Sequence, residues 1–140
     1  MFSHYFYDWD VKPEFEKEAI SLWPNWLGEA NLHKLDEVTE KEWARFNSLL
    51  ELIAAKYELG LADCDSESIS KIEGVEETVS SYSNSMNKDA SQFLKYVIPE
   101  LDCVLTEEWD YTYILWHRKN GALEALVPLI AEAGLYHFHA

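Results

Sequence analysis

Acidic and aromatic side chains stand together just before a strongly apolar segment at residues 111–117. They are Glu107, Glu108, Trp109 and Asp110. Paired carboxylates can act as general acid and base, as in glycoside hydrolysis. The same residue types suit recognition of a basic protein, because aromatic rings anchor an interface and carboxylates pair with Arg and Lys. No substrate-binding signature accompanies them, so the sequence favours binding over catalysis.

A second acidic set lies in residues 61–77 and comprises Asp63, Asp65, Glu67, Glu73, Glu76 and Glu77. The first three have the alternating spacing of an oxygen-ligand metal loop. The segment lacks the loop glycine and the distal glutamate of a calcium hand. We therefore predict a solvated turn, and we assign both acidic sets to one partner-binding surface.

Three histidines offer the alternative of a metal site. His137 and His139 are two residues apart on a predicted strand and share one of its faces, and His117 is placed on a neighbouring strand. Three imidazoles in one patch can hold a transition metal. No carboxylate or thiolate spacing completes a known signature, and an exposed edge strand with polar tips explains the same pattern. No metal or cofactor is therefore predicted.

Other common chemistries lack their sequence signatures. No serine is flanked by glycines, and none of the five glycines are adjacent, as a phosphate-binding loop would require. Cys64 and Cys103 match no metal or redox spacing and are predicted to be free, buried thiols of a reducing compartment. The chain is not predicted to be an enzyme.

The charge of the chain is strongly negative and unevenly distributed. The net charge is −15, and residues 60–110 contain 12 acids and 3 bases. Such a field repels nucleic acid and anionic membranes and attracts basic partners. The N-terminus has no signal-peptide pattern, and no apolar run reaches the roughly 18 residues of a membrane span. We expect a single cytoplasmic domain spanning residues 1–140.

Hydrophobic spacing predicts the elements that must position these residues. Residues 1–10 suit a short strand or an anchored arm. Thr39 and Glu42 have the spacing of a capping box, and an apolar stripe follows at helical intervals. Helices are expected at residues 13–23, 40–58 (with Gly60 just beyond its end), 89–97 and 122–133. Strands are expected at residues 101–107, 111–117 and 135–139, and short helices within 61–77.

These elements predict an α+β fold. An N-terminal helical layer would pack on a small mixed sheet of three or four strands, with a C-terminal strand-helix-strand unit. The connection from residue 118 to residue 134 is long enough for a crossover to a parallel neighbour.

The sequence thus predicts a small acidic protein-binding module. It would dock a basic partner, such as a toxin or a nucleic-acid-binding protein, by electrostatic attraction and aromatic burial, as an immunity-type or antitoxin-type inhibitor does. Two alternatives remain: a DNA mimic, or a metal-binding or enzymatic domain that uses His117, His137 and His139. A purely solubilising acidic surface would have the same composition.

Overall fold

The computed structural model describes residues 1–78, 93–118 and 121–140, and these residues form both helices and strands. The helices are α1 Phe2–Tyr5, α2 Glu40–Lys56, α3 Val75–Thr78 and α4 Ala122–Glu132, with 3-10 turns at Glu29–Glu37 and Pro99–Leu101. The strands are β1 Phe6–Tyr7, β2 Asp10–Val11, β3 Glu16–Ser21, β4 Gly60–Asp63, β5 Ser68–Lys71, β6 Lys95–Ile98, β7 Cys103–Glu108, β8 Thr112–His117 and β9 Tyr136–His139.

One sheet of seven strands organises the fold, in the order β5-β4-β6-β7-β8-β3-β9. Each neighbouring pair of these strands is antiparallel, and β1 and β2 form a separate antiparallel pair. Strands β7 and β8 lie near the middle, and both faces of the sheet around them are covered. A strand that is covered on both faces has apolar side chains at consecutive positions, and this explains the nearly continuous apolar runs of β7 and β8.

Helices α2 and α4 cover one face of the sheet, which we call the helix face. The predicted capping box starts α2, because the Glu42 carboxylate accepts the backbone N–H of Thr39 at 3.0 Å. The predicted stripe of α2 is buried, and Phe46, Leu50 and Ile53 are fully inaccessible to solvent. They pack with strand residues whose side chains project from the helix face, and together these form the main core.

The N-terminal segment covers part of the opposite face. Tyr5, Phe6, Val11 and Phe15 form a second core with Val97, Val104 and their neighbours. Arg118 fastens this segment to the sheet. Its guanidinium lies 3.2 Å from carboxylate oxygens of Glu14 and Asp102, donates to the carbonyl of His4, and lies 4.1 Å from the ring of Phe15.

The α+β class is confirmed, but the predicted arrangement of its parts is wrong. The sheet has seven strands rather than three or four, and it is antiparallel rather than mixed. The segment predicted as a helix at residues 13–23 contains strand β3, so of the two helices predicted for the N-terminal layer only α2 is present. The spacing of Phe15, Ala19 and Leu22 fits a helix, but β3 pairs with β8 and β9, and these long-range ladders outweigh local propensity.

The segment after α2 also differs from the prediction. Residues 60–71 form the hairpin β4–β5 rather than a solvated turn with short helices, although the short helix α3 follows. Gly60 belongs to β4 and does not terminate α2. Of the helix predicted at residues 89–97, residues 89–92 lie outside the described residues, and Lys95–Ile98 is strand β6.

The C-terminal strand-helix-strand unit is confirmed in its elements but not in its pairing. Strand β9 pairs with β3 and not with β8, so the predicted parallel neighbour is wrong. Helix α4 extends through Pro128, and Gly121 with a φ of 85° precedes it. None of the helices in the described ranges is long and apolar enough to cross a membrane.

Candidate functional site

The predicted acidic residues occupy three places on the fold. Asp63, Asp65 and Glu67 lie at the β4–β5 turn, and Glu73 and Glu76 lie just before and within α3. The third group comprises the end of β7, Glu107 and Glu108, and the first two residues after it, Trp109 and Asp110. Glu107 is buried, and the other members of the set whose side chains the structure describes are exposed. Glu77 belongs to α3, but its side chain lies outside the described residues.

Strand register decides which of these groups can act together. Asp63 is opposite Ser68 next to the turn of the hairpin, and Gly60 is opposite Lys71 at its open end. Helix α3 follows Lys71 and therefore lies at the open end, away from the turn. The β4–β5 turn lies at the same end of the sheet as the β7–β8 turn, because β6 pairs with both β4 and β7. The acidic residues therefore divide between two ends of the sheet and do not form one surface.

A three-residue turn joins β7 to β8 and presents Trp109 at its tip. Glu108 is paired with Thr112, which leaves Trp109, Asp110 and Tyr111 in the turn. Asp110 and Tyr111 have φ angles of 59° and 55°, a left-handed conformation that tight hairpin connections use. The Thr112 hydroxyl donates to the carbonyl of Asp110 at 3.2 Å and supports this conformation. The Trp109 side chain is consequently 59% exposed.

Glu107 has a structural role within the predicted partner-binding set. It is 5% exposed, and its carboxylate accepts the backbone N–H of Leu94 at 2.6 Å. Its own N–H donates to the carbonyl of Leu94 at 3.0 Å. Glu107 therefore fixes the chain just before β6, and a partner cannot reach its carboxylate as it can reach those of Glu108 and Asp110.

The β7–β8 turn borders a cavity of about 270 Å³, which we call the acidic groove. Its described lining residues are Leu35, Asp36, Trp43, Phe93, Glu107, Glu108, Trp109, Asp110 and Tyr111. These include four acids, four aromatic residues and no base. The rings support each other edge to face, with centroids 4.7 Å apart for Phe93 and Trp109 and 6.2 Å apart for Trp43 and Tyr111.

Sequence reasoning identified only part of this groove. No sequence pattern marks Asp36, and the spacing of Trp43 and Tyr111 indicates the apolar faces of a helix and a strand. No spacing in the chain links them, because α2 and the β7–β8 turn meet only in the folded protein. The structural role of Glu107 did have a sequence signal. Glu107 alternates with Cys103 and Leu105 along the strand, and this alternation places it on the buried helix face.

The three histidines are not on neighbouring strands as predicted. His117 is paired with Glu16 and His139 with Glu18, so β3 separates the two strands that carry these histidines. His137 is occupied by a carboxylate, with its Nδ1 atom 2.6 Å from the Glu18 Oε2 atom. Within residues 1–78, 93–118 and 121–140, no group of three or more His, Cys, Asp or Glu side chains is arranged to hold a metal ion.

Both cysteines are free, and their environments differ. Cys103 is fully buried in β7, and burial raises the pKa of its thiol to about 12. Cys64, in the β4–β5 turn, is half-buried, and partial burial raises the pKa of its thiol less strongly. Only the thiolate form of cysteine is reactive. The difference in accessibility and in thiol pKa therefore makes Cys64 the more reactive of the two cysteines.

We expect a thiol reagent to modify one cysteine of the native protein. Cys64 should react with iodoacetamide at a rate that rises from pH 7 to pH 9, because a higher pH increases its thiolate fraction. Cys103 should stay unmodified over that range and react only after unfolding. Mass spectrometry of the digested protein measures both sites. Equal labelling of both cysteines at pH 8 without denaturant would contradict the burial of β7.

Comparison with known proteins supplies no functional precedent for this geometry. No protein-family model, no curated protein and no solved structure matches the chain.

Proposed function

We propose that the protein binds a basic protein partner, with the acidic groove as the docking point. The observation that carries this proposal is the lining of the groove, which combines the exposed carboxylates of Asp36, Glu108 and Asp110 with four aromatic rings. A guanidinium or ammonium group is attracted by the face of an aromatic ring and by a nearby carboxylate. The groove therefore suits an Arg or Lys side chain presented on a protein surface.

Long-range attraction supports the same partner class. The net charge of −15 attracts a basic protein during diffusional encounter and raises the association rate. At physiological ionic strength the Debye length is about 8 Å, so local charges decide where the partner docks. Trp109 is exposed beside Glu108 and Asp110, and a buried tryptophan is a frequent energetic centre of interfaces.

Within this proposal, the protein acts as an inhibitor of the immunity or antitoxin type, which neutralises its partner by covering a basic functional surface. A DNA mimic is the alternative, and it requires carboxylates spaced like phosphates along one face. The separation of the acids at α3 from those of the two turns favours a local docking point over such an array.

Charge reversal at the groove should weaken partner binding more than the same charge change elsewhere. The test variant is Glu108→Lys with Asp110→Lys, and the matched control is Glu124→Lys with Glu132→Lys on the exposed side of α4. A partner is first captured from the native lysate on the immobilised protein at low salt and is then purified. We expect a Kd about tenfold higher for the groove variant than for the control, or about 1.4 kcal/mol.

Trp109→Ala adds a charge-neutral test of the same groove. It should also raise the Kd about tenfold, since it removes the exposed ring and leaves the net charge unchanged. The groove is not the docking point if the groove and control charge reversals weaken binding equally and Trp109→Ala has no effect. The acids would then contribute only long-range electrostatic attraction. Failure to retain any basic protein at low salt would refute the proposal as a whole.

A further inference from the structure

The two edges of the seven-stranded sheet differ in chemistry. Among the described residues, β5 and β9 are the end strands of the sheet, so each has a neighbouring strand on one side only. Strand β5 ends in Lys71 and lies between the exposed acids Glu67 and Glu73. Strand β9 contains no carboxylate, lysine, arginine or proline. Charged residues and prolines usually protect edge strands from pairing with another chain, so β9 lacks a protection that β5 has.

The backbone of β9 presents hydrogen-bonding groups outward at two alternate residues. Ala140, just after β9, donates its N–H to the Lys17 carbonyl at 3.3 Å. Bonded and non-bonded positions alternate along an antiparallel ladder, so Phe138 is the next residue that bonds to β3. The N–H and C=O groups of His137 and His139 therefore point away from β3, along the open edge of the sheet.

The side chains at this edge are exposed and mainly aromatic. Tyr136 is 49% exposed, and the two histidines are exposed as well. Trp26 is 58% exposed, and its ring contacts that of Phe138 edge to face with centroids 4.9 Å apart. Aromatic residues favour cross-strand pairing. The edge thus combines outward backbone groups with apolar surface that a further strand would cover.

The distribution of charge indicates which chain suits this edge. The net charge is −15, but residues 111–140 contain 2 acids and 2 bases. Glu18, the carboxylate beside β9, is buried, and its Oε2 atom lies 2.6 Å from the Nδ1 atom of His137. A second copy of the chain meets little repulsion at this neutral edge. Pairing through β5 would instead bring Glu67 and Glu73 of two copies together.

We propose that the protein forms a two-fold symmetric dimer in which β9 pairs antiparallel with β9 of a second copy. Phe138 lies on the two-fold axis, opposite the same residue of the second copy. His137 is opposite His139 of the second copy, and the outward groups of both pairs form four N–H···O bonds. A register with His137 opposite itself would require Leu135, whose N–H already donates to the Ile130 carbonyl at 3.0 Å.

Salt separates this pairing from the binding of a basic partner. Each copy contributes a strand of four residues, so the interface is small and the dimer forms at high protein concentration. Because both copies carry a net charge of −15, added salt screens their repulsion and should strengthen the dimer. Added salt weakens the attraction of a basic protein, so either proposal can fail without the other.

Sedimentation velocity over about a hundredfold range of protein concentration tests the proposal, with His139→Pro as the test variant. Proline removes the outward N–H at this position and no bond to β3, and it is tolerated on edge strands. The matched control is His139→Ala, which keeps that N–H. We expect native protein and control to dimerise alike, and His139→Pro to raise the dimer Kd about tenfold or more, because two of four bonds are lost.

Cysteine cross-linking tests the register without a proline. In a Cys64→Ser background, Phe138→Cys places two thiols on the two-fold axis, where Cα atoms of a non-bonded pair lie about 4.5–5.5 Å apart, within the range of a disulfide. The control is Tyr136→Cys, whose two Cα atoms would lie about 14 Å apart. With diamide as the oxidant, Phe138→Cys should form the covalent dimer about fivefold faster or more.

Three outcomes would overturn the proposal. The first is a monomer at every concentration and salt. The second is growth beyond the dimer, which head-to-tail pairing of β9 with β5 would produce, since such a contact does not close. The third is equal cross-linking of the two cysteine variants, which would place another residue on the two-fold axis. Circular dichroism confirms that each variant is folded before it is compared.

Discussion

Replacement of Phe46 by alanine is expected to lower the free energy of unfolding by about 3–5 kcal/mol. The side chain is fully buried in α2, and its ring stacks on that of Tyr113 with centroids 4.9 Å apart. It also contacts Trp43 at 5.4 Å, so its loss opens a cavity between the helix and the centre of the sheet. Because domains are usually stable by about 5–15 kcal/mol, the loss is a large fraction of the total.

Equilibrium unfolding in urea, followed by circular dichroism, measures this change. Ser48→Ala is the matched control, since Ser48 is exposed on the same helix and should change the stability by less than about 0.5 kcal/mol. A loss below about 1.5 kcal/mol for Phe46→Ala would mean that α2 does not pack on the sheet through this residue.

Helix α2 was predictable from the sequence because its signals are local. The capping box at Thr39 and Glu42 lies within one turn, and the apolar stripe repeats every three or four residues. The segments of β7, β8, α4 and β9 were recognisable for the same reason. Each element carries its own periodicity, whatever it later contacts.

Strand β3 was not predictable by that route because its partners are distant in the chain. Ala19 is opposite Ile114 on one side and Phe138 on the other, so about 95 to 120 residues separate the paired positions. Its short apolar run suits either a buried strand or one side of a helix. Tertiary pairing selected the strand, and this choice also separated His117 from His139.

The acidic groove also combines residues that are close in the sequence with residues that only the fold brings together. Glu108, Trp109 and Asp110 could be identified because they are consecutive and their residue types suit recognition. Asp36 and Trp43 join them only through the packing of α2 and the preceding turn against the sheet.

Gly60 lies where two strands of the sheet approach each other closely. Its backbone is buried in β4, where it pairs with Lys71 on one side and Val97 on the other. A β-carbon at this position would lie 2.6 Å from the Cγ2 atom of Ile69, closer than real contacts allow. The glycine is therefore required by the approach of β5 and not by the end of a helix.

Gly60→Ala is accordingly expected to destabilise the protein by about 1–3 kcal/mol. The effect on the unfolded state alone would instead stabilise the protein. Alanine restricts the unfolded chain and favours folding by about 0.4–1 kcal/mol where the native backbone accepts it. The steric conflict should dominate, since Ile69 is branched at its β-carbon and has few alternative rotamers on a strand. Urea unfolding of the single variant measures the net effect.

A double-mutant cycle with Ile69→Ala separates the two contributions. Ile69→Ala removes the Cγ2 atom, so Gly60→Ala in that background should cost about 1–2 kcal/mol less than in the native protein and can become stabilising. Each single variant alone should be destabilising, and the double variant should lose less stability than the sum of the two single losses. Strictly additive effects would show that the β-carbon at position 60 does not meet Ile69, and that β5 packs on β4 in another register.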